Sequence, residues 1–280
     1  MLKITPDELT AWSDYIASLC GIRLNSTKGY LVETRLGKLA ESLGCRSFRE
    51  LLQKTKTDFT GHLKKQVVER MTTRETSFFR DGSPFSLLQN KLIPELIDRV
   101  QARSPRGTIP IRIWSAACSS GQEVYTIGIV LRELLGTNPR YKIRIHGTDI
   151  SNEAIAAASK GEFKSFEVER GLPPNLRQKY FLPVGDNWKI NDEIRALASF
   201  SQLNLLEDFS RVGTFDIIFC RNVAIYFNEA DKISLFNRIA QRLDPQGALV
   251  VGSTESIASL CPIYQPNRHL RAIYYSLKAC

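Results

Sequence analysis

The stretch from Arg112 to Leu131, RIWSAACSSGQEVYTIGIVL, constrains the fold most, because it reads as a buried strand, a loop of small residues and a helix in immediate succession. Ile111, Ile113 and Trp114 form the apolar run. Ala116, Ala117, Ser119, Ser120 and Gly121 are small enough to let a ligand approach the backbone. Gln122 to Leu135 then opens a helix whose free N–H groups and positive dipole end face that loop. Such a succession cradles a nucleotide-type cofactor. The dinucleotide fingerprint G-x-G-x-x-G and the phosphate loop G-x-x-x-x-G-K-[ST] are both missing, so the cradle suits a ligand without a pyrophosphate. Lys142 to Asp149 (KIRIHGTD) follows as an alternating strand, and Asp149 stands where a Rossmann-like unit places an acid for ribose hydroxyls. By spacing alone, the alternative is that Asp149 merely begins the next helix of an ordinary βαβ unit.

A chain of 280 residues that is 43% hydrophobic can bury a sizeable core and suggests two domains. Cys20, Cys45, Cys118, Cys220, Cys261 and Cys280 are scattered without a C-x-x-C pair, and MLKITPDELT has no secretory apolar region. Those features fit free thiols in a reducing cytoplasm. The net charge of +9 favours an acidic partner without choosing among nucleic acid, protein and membrane headgroups. No RNP string, zinc-finger spacing or Lys/Arg block interleaved with aromatics supports nucleic-acid reading. His62, His146 and His269 are isolated in sequence, so no histidine metal site is expected.

Residues 1–80 read as a helical domain. Thr5-Pro6-Asp7-Glu8 combines an N-cap Thr, a Pro at the first helical position and a Glu three residues after the cap. Leu9, Trp12, Ile16 and Leu19 recur at helical spacing up to Gly21; Val32, Leu36, Leu39 and Leu43 repeat the pattern up to Gly44. Ser47 with Glu50 starts a third helix, and Leu63, Val67, Val68 and Met71 mark a fourth. This domain holds 14 Lys and Arg against 9 Asp and Glu, and Arg35 and Lys38 lie one turn apart on its second helix. They could grip an acidic helix or simply form a solvated face. Residues 81–108 form a linker with a helix at Phe85 to Val100. From Ile109 onward strand and helix signals alternate, which implies a parallel sheet. That alternation breaks at about 162–198, where a short helix to Phe181 and strands WKI and EIR around Asn191-Asp192 predict an inserted hairpin. Phe215 to Cys220 then reads as a strand, Glu229 to Leu243 as a helix, Asp244 to Gly247 as a turn, Ala248 to Gly252 and His269 to Leu277 as strands.

Three further strings decide the functional reading: MTTRETSFFRD (Met71 to Asp81), LNLLE (Leu203 to Glu207) and FDIIFCRNVAIYF (Phe215 to Phe227). With SAACSSGQEVYT and GTDIS, they closely resemble the chemotaxis-receptor glutamate methyltransferases, the CheR family, in order from Met71 to the C-terminus. The resemblance implies a Rossmann-like class I S-adenosylmethionine-dependent methyltransferase sheet at 109–280, an N-terminal all-helical substrate-recognition domain and a small inserted β-subdomain. It implies transfer of a methyl from S-adenosylmethionine to glutamate carboxylates on chemoreceptor cytoplasmic helices, with S-adenosylhomocysteine as product. Carried over by position, Thr76, Arg80, Glu123, Asp149, Asn204, Leu205, Arg221 and Asn222 would contact the cofactor. Arg80 and Tyr226 would act at the reacting centre, and Arg35 and Lys38 would meet the substrate. The membrane would be met only through receptors.

Arg74 stands where the family often has Asn, which leaves the role of that position open. The compact hairpin from Leu182 to Ala198 lacks the Gly-rich elongation of members that dock a receptor's C-terminal tail peptide, so recognition without the tail is expected. Two other readings compete. An RNA or DNA methyltransferase would commonly carry [ND]-P-P-[YF] after the fourth strand, where this chain has Arg221-Asn222-Val223. A non-catalytic S-adenosylmethionine-sensing module would bind cofactor without transferring a methyl.

Overall fold

The computed structural model describes residues 2–278. Two compact units emerge: a helical one that runs to Thr73 and takes in Tyr226–Lys232, and an α/β one formed by Arg74–Ile225 and the chain from Ile233 onward. Cys280 lies outside the described residues; the five other cysteines are free and buried.

In the helical unit, α1 (Pro6–Cys20) starts at a complete capping box. The Thr5 side chain accepts from the Glu8 N–H, and Glu8 Oε2 accepts from the Thr5 N–H at 2.9 Å. Gly21 stops the helix at φ 77°, and a Cβ there would stand 2.4 Å from the Phe227 ring, so this cap must be glycine. α2 (Gly29–Ser42), α3 (Phe48–Thr57) and α4 (His62–Met71) follow, with α3 capped by Ser47. Trp12 is fully buried and donates from Nε1 to the Phe48 carbonyl at 2.9 Å, which ties α1 to the start of α3. Ile16, Val32, Leu36, Leu51 and Val67 close the core around it.

The α/β unit begins with α5 (Ser83–Leu87), one π-helical turn at Leu88–Leu92 and α6 (Ile93–Arg103), a longer helical run than the expected Phe85 to Val100. Then come β1 (Ile109–Ala116), α7 (Gln122–Leu135), β2 (Tyr141–Asp149) and α8 (Asn152–Lys160). Next are β3 (Glu162–Lys164), α9 (Ser165–Glu169), α10 (Pro174–Tyr180), β4 (Phe181–Val184), β5 (Asn187–Ile190), α11 (Asp192–Arg195) and β6 (Ala198–Gln202). β7 (Phe215–Cys220), α12 (Glu229–Ala240), β8 (Leu243–Val251), β9 (Tyr264–His269) and β10 (Ala272–Leu277) complete the chain. The main sheet has the order β6-β2-β1-β7-β8-β10-β9. β6 through β8 are parallel, whereas β10 runs antiparallel to both β8 and β9. After β1 the chain moves outward to β2 and β6, then returns to β7 on the other side of β1. The carboxyl ends of β1 and β7 therefore flank a topological switch point, where open α/β sheets bind ligands.

Four local expectations are corrected. The hairpin is β4–β5, turning at Gly185-Asp186 with Gly185 at φ 58°, and EIR is not a strand. The Asn191 side chain accepts the Ile194 N–H at 3.1 Å and Asp192 and Glu193 fill the first turn, so the segment nucleates a helix that buries Ile194. Asp244 to Gly247 lies within β8 as a bulge: Phe215 faces Leu243, yet Ile217 faces Ala248. β9 has no strand signal in the sequence because it is a polar edge strand containing Pro266, one of the few sheet positions Pro tolerates. Finally, the sheet is not wholly parallel, because β8 to β10 is a return without a crossover helix.

Candidate cofactor site

The site is built at the carboxyl ends of β1, β2 and β7. β1 is buried at Ile111, Ile113 and Trp114 and ends in a loop with three left-handed residues, Ala117 (φ 60°), Ser119 (φ 51°) and Gly121 (φ 95°). Gly121 adopts such an angle freely, whereas Ala117 and Ser119 each carry a cost of about 1–2 kcal/mol for it; the small side chains keep the loop open to a ligand. Gly121 begins α7 without a side-chain cap, so the first-turn N–H groups of that 14-residue helix face the loop with their dipole.

Asp149 is fixed at the end of β2. Oδ2 accepts the Ser119 N–H and Oδ1 the Ser151 N–H, each at 2.9 Å. The Leu203 N–H bonds the Asp149 carbonyl at 2.8 Å, bringing the LNLLE segment alongside. Within that segment Leu205 is buried, and the Asn204 side chain accepts from the Leu206 N–H and donates to Glu207, shaping the turn.

The third group centres on Arg221, directly after β7. Its side chain is only 2% exposed. Nη1 donates to Glu123 Oε2 at 2.7 Å; Nη2 donates to Asp81 Oδ2 at 2.7 Å and to the Arg80 carbonyl at 3.0 Å. The guanidinium lies over the Phe85 ring at 5.6 Å. Its Nε is buried without a hydrogen-bond partner among the described residues. Glu123 is completed by the Ser115 hydroxyl at 2.8 Å. Asn222 adopts φ 57°, and its backbone N–H is accepted by Glu255 Oε2 at 2.7 Å.

The string Arg74 to Asp81 is nailed down on both sides. Phe78 is fully buried against Phe163 and Phe181 at centroid distances of 5.0 and 5.4 Å. The Phe79 N–H donates to Thr126 Oγ1 on α7 at 3.2 Å. Thr76, half-buried, lies two residues ahead of that anchor. Arg80 folds back, with Nη1 donating to the Glu75 carbonyl at 2.9 Å. The hydrogen bond and charge of Arg170, then the charge of Arg80, hold the Glu75 carboxyl below its ordinary pKa. Arg74 pairs with Glu153 at 2.8 Å, and its carbonyl accepts the Ser119 hydroxyl at 3.2 Å. Arg74 thus braces the cradle loop through its carbonyl.

Asp149, Glu123, Arg221, Asn222, Arg80 and the LNLLE segment are accordingly gathered within the α/β unit. Tyr226 groups with the helical unit. Arg35 and Lys38 diverge: Arg35 Nη1 donates to the Met71 carbonyl at 2.7 Å, capping the end of α4, while Lys38 is exposed. Residues that sequence reasoning missed are Asp81, Ser115 and Glu255. Asp81 was visible as the last letter of the SFFRD string; Glu255, in GSTE after an apolar strand, carried no such signal. Cys118, within the loop, is buried and its thiol is pushed well above its ordinary pKa, by burial first and then by Asp149 and Glu123. It is therefore no nucleophile.

This donor set fits S-adenosylmethionine. The cradle loop Ala116 to Gly121 carries no Lys or Arg to grip phosphate. A carboxylate at Asp149 suits ribose hydroxyls, and the buried Arg221–Glu123 pair suits a charged amino-acid end. Fold and site together define an S-adenosylmethionine-dependent methyltransferase. Residues 74–267 match the CheR methyltransferase SAM binding domain, and residues 7–72 match the CheR methyltransferase all-alpha domain. The chain belongs to the CheR methyltransferase family. It is 40% identical over 268 residues to chemotaxis protein methyltransferase 1 of Pseudomonas aeruginosa, covering 94% of this chain and 95% of that protein. It is 37% identical over 280 residues to chemotaxis protein methyltransferase 1 of Vibrio cholerae, with 99% of each covered. These relatives favour neither the nucleic-acid methyltransferase nor the sensing module. Among the described residues, no helix is long and apolar enough to cross a membrane.

Proposed function

We propose that this enzyme is a protein-glutamate O-methyltransferase that esterifies glutamate side chains on the cytoplasmic helices of methyl-accepting chemoreceptors. It would work in the cytoplasm and meet the membrane only through those receptors. The observation that carries the reading is that Asp149, held at the end of β2 by the cradle loop, and the buried Arg221–Glu123 pair, which also holds the Arg80 carbonyl, stand at the carboxyl edge of one sheet. The names of the relatives support the chemotactic setting.

When bound, S-adenosylmethionine supplies an electrophilic methyl on a sulfonium, and its transfer to a carboxylate oxygen leaves neutral S-adenosylhomocysteine. A glutamate carboxylate, with an ordinary pKa of about 4.3, is already ionised at neutral pH, so this chain's residues need not remove a proton. Their task is alignment, which in well-oriented systems lowers a barrier by as much as about 7–11 kcal/mol. Asp149 would accept ribose hydroxyls, with Asn204 and Leu205 beside the adenosine. Glu123, Arg221, Asn222 and Thr76 would line the remainder. Arg80 spends one Nη on the Glu75 carbonyl, and its remaining N–H groups would orient the incoming carboxylate.

Substrate capture is assigned to the helical domain, with Lys38 presenting its charge and Arg35 bracing α4. Recognition without a receptor tail peptide is the expectation to test against an open feature: β4 is an edge strand with Leu182 and Val184 exposed. The experiment is methyl transfer to a receptor cytoplasmic fragment, with and without its C-terminal tail, followed by mass-spectrometric mapping. Methyl groups on Glu residues in both fragments support the full reading. Modification of other residue types contradicts it, and modification of the tailed fragment alone removes tail independence. Arg80→Ala and Tyr226→Phe probe the two residues assigned to the reacting centre.

A further inference from the structure

β8 ends at Val251 and the chain turns at Gly252, where the Glu255 N–H bonds the Gly252 carbonyl at 2.9 Å. That turn folds Glu255 back beneath the end of β7. One carboxylate oxygen, Oε2, accepts the N–H of Asn222 and the N–H of Gly252, both at 2.7 Å; the other, Oε1, accepts the N–H of Ile225 at 3.2 Å. A single side chain thus binds three backbone donors from the ends of two adjacent strands. Asn222 sits at φ 57°, a left-handed conformation that costs an L-residue about 1–2 kcal/mol and that Asn adopts more readily than most. Gly252 leaves the room: a Cβ there would stand 2.5 Å from Glu255 Oε2 and 2.9 Å from Asn222 Nδ2.

We propose that Glu255 is a positioning residue for the cofactor pocket, setting the backbone of the Arg221–Ile225 loop through Asn222. This rests on the reading of Arg221 and Asn222 as pocket residues. Arg221 immediately precedes Asn222, so the φ that Glu255 stabilises fixes where the guanidinium leaves the strand to meet Glu123 and Asp81. The number of acceptors matters as well as shape, because a carboxylate can accept at both oxygens whereas an amide accepts at one. Gln at this position would keep the bonds from Asn222 and Gly252 while setting its NH₂ against the Ile225 N–H.

The test uses the full chain and its variants Glu255→Ala, Glu255→Gln and Asp149→Ala, each checked for folding by circular dichroism. S-adenosylhomocysteine binding is measured by calorimetry, and transfer kinetics are measured on a receptor fragment. Glu255→Ala should raise the S-adenosylhomocysteine Kd and the S-adenosylmethionine KM about tenfold or more, the scale for a lost supporting contact. The KM for the receptor fragment should stay within about twofold, and Glu255→Gln should recover most of the cofactor affinity. A merely structural role would lower the melting temperature of Glu255→Ala and leave the Kd of the folded protein unchanged. Weakened binding in Asp149→Ala with wild-type binding in the folded Glu255 variants overturns the proposal alone. Wild-type binding in Asp149→Ala overturns the pocket reading beneath it. Should Glu255→Ala not fold, Glu255→Gln decides: a smaller but measurable rise in Kd supports the proposal, and wild-type affinity overturns it.

Discussion

Arg221 donates from Nη1 to Glu123 Oε2 at 2.7 Å, joining the end of β7 to the first turn of α7 across the switch point. With the Asp81 and Arg80 contacts, this buried guanidinium links the end of β7, the first turn of α7 and the string before α5. Removing it leaves Glu123, only 14% exposed, without its counter-charge. Arg221→Ala should therefore destabilise the α/β unit by about 3–5 kcal/mol in chemical denaturation. Arg221→Lys should rescue little, since an ammonium cannot serve Glu123 and Asp81 with a fixed fork. Wild-type stability in Arg221→Ala would show that the network is ornamental.

Asp149 is held by the N–H groups of Ser119 and Ser151, so its orientation survives without ligand. A carboxylate fixed in advance meets a ligand hydroxyl at little entropic cost. Asp149→Ala should weaken S-adenosylhomocysteine binding about 10- to 100-fold, the scale of a hydrogen bond to a charged group. A ribose-deoxy analogue should lose affinity for the wild type and lose none further for the variant. Equal losses in both proteins would place the ribose elsewhere.

Gly171, at φ 93°, passes so close to the SFFR string that a Cβ would stand 2.2 Å from the Phe78 carbonyl oxygen. Backbone cannot rotate away as a side chain can. Gly171→Ala should cost at least about 2 kcal/mol, combining a disfavoured φ with displacement of the string. It should also reduce methyl transfer, because Phe78 anchors the segment that carries Thr76 and Arg80. A variant with wild-type melting temperature and turnover would contradict this.

What the sequence disclosed followed from signals that are local. The Thr5–Glu8 box, Gly21, and the β1-loop-α7 succession each depend on residues within one or two turns of each other, and each appears as read. EIR matches a strand over three alternating residues, but the Asn191 N-cap before two acids makes it a helix. The bulge at Asp244 to Gly247 depends on a distant partner, Phe215, and the edge strand β9 is itself polar. Asp149 was visible because its strand ends there, whereas Glu255 was not. Its importance lies in three N–H groups, two of them about 30 residues upstream, that only the folded chain brings to it. Arg35 illustrates the converse: helical spacing showed a basic pair, and the structure commits one member to the Met71 carbonyl.

Glu8 supplies a pH test of the helical unit. Burial opposes its charge, yet the N–H groups of Thr5 and Arg49 and the Thr5 hydroxyl outweigh it and hold its pKa below 4.5. A depressed folded-state pKa contributes stability above the unfolded pKa and loses it as pH falls through the folded one. Glu8→Gln should therefore be less stable than wild type in urea at pH 7, and the gap should shrink once pH drops below about 4.5. A gap independent of pH would mean that the carboxylate's charge contributes nothing.

The most direct test of the central claim is transfer of a labelled methyl from S-adenosylmethionine to a chemoreceptor cytoplasmic fragment, followed by mild alkali. Glutamate methyl esters hydrolyse under those conditions, so label released as methanol is the predicted result, abolished by Arg80→Ala. Label that stays on the protein through alkali would contradict carboxyl methylation.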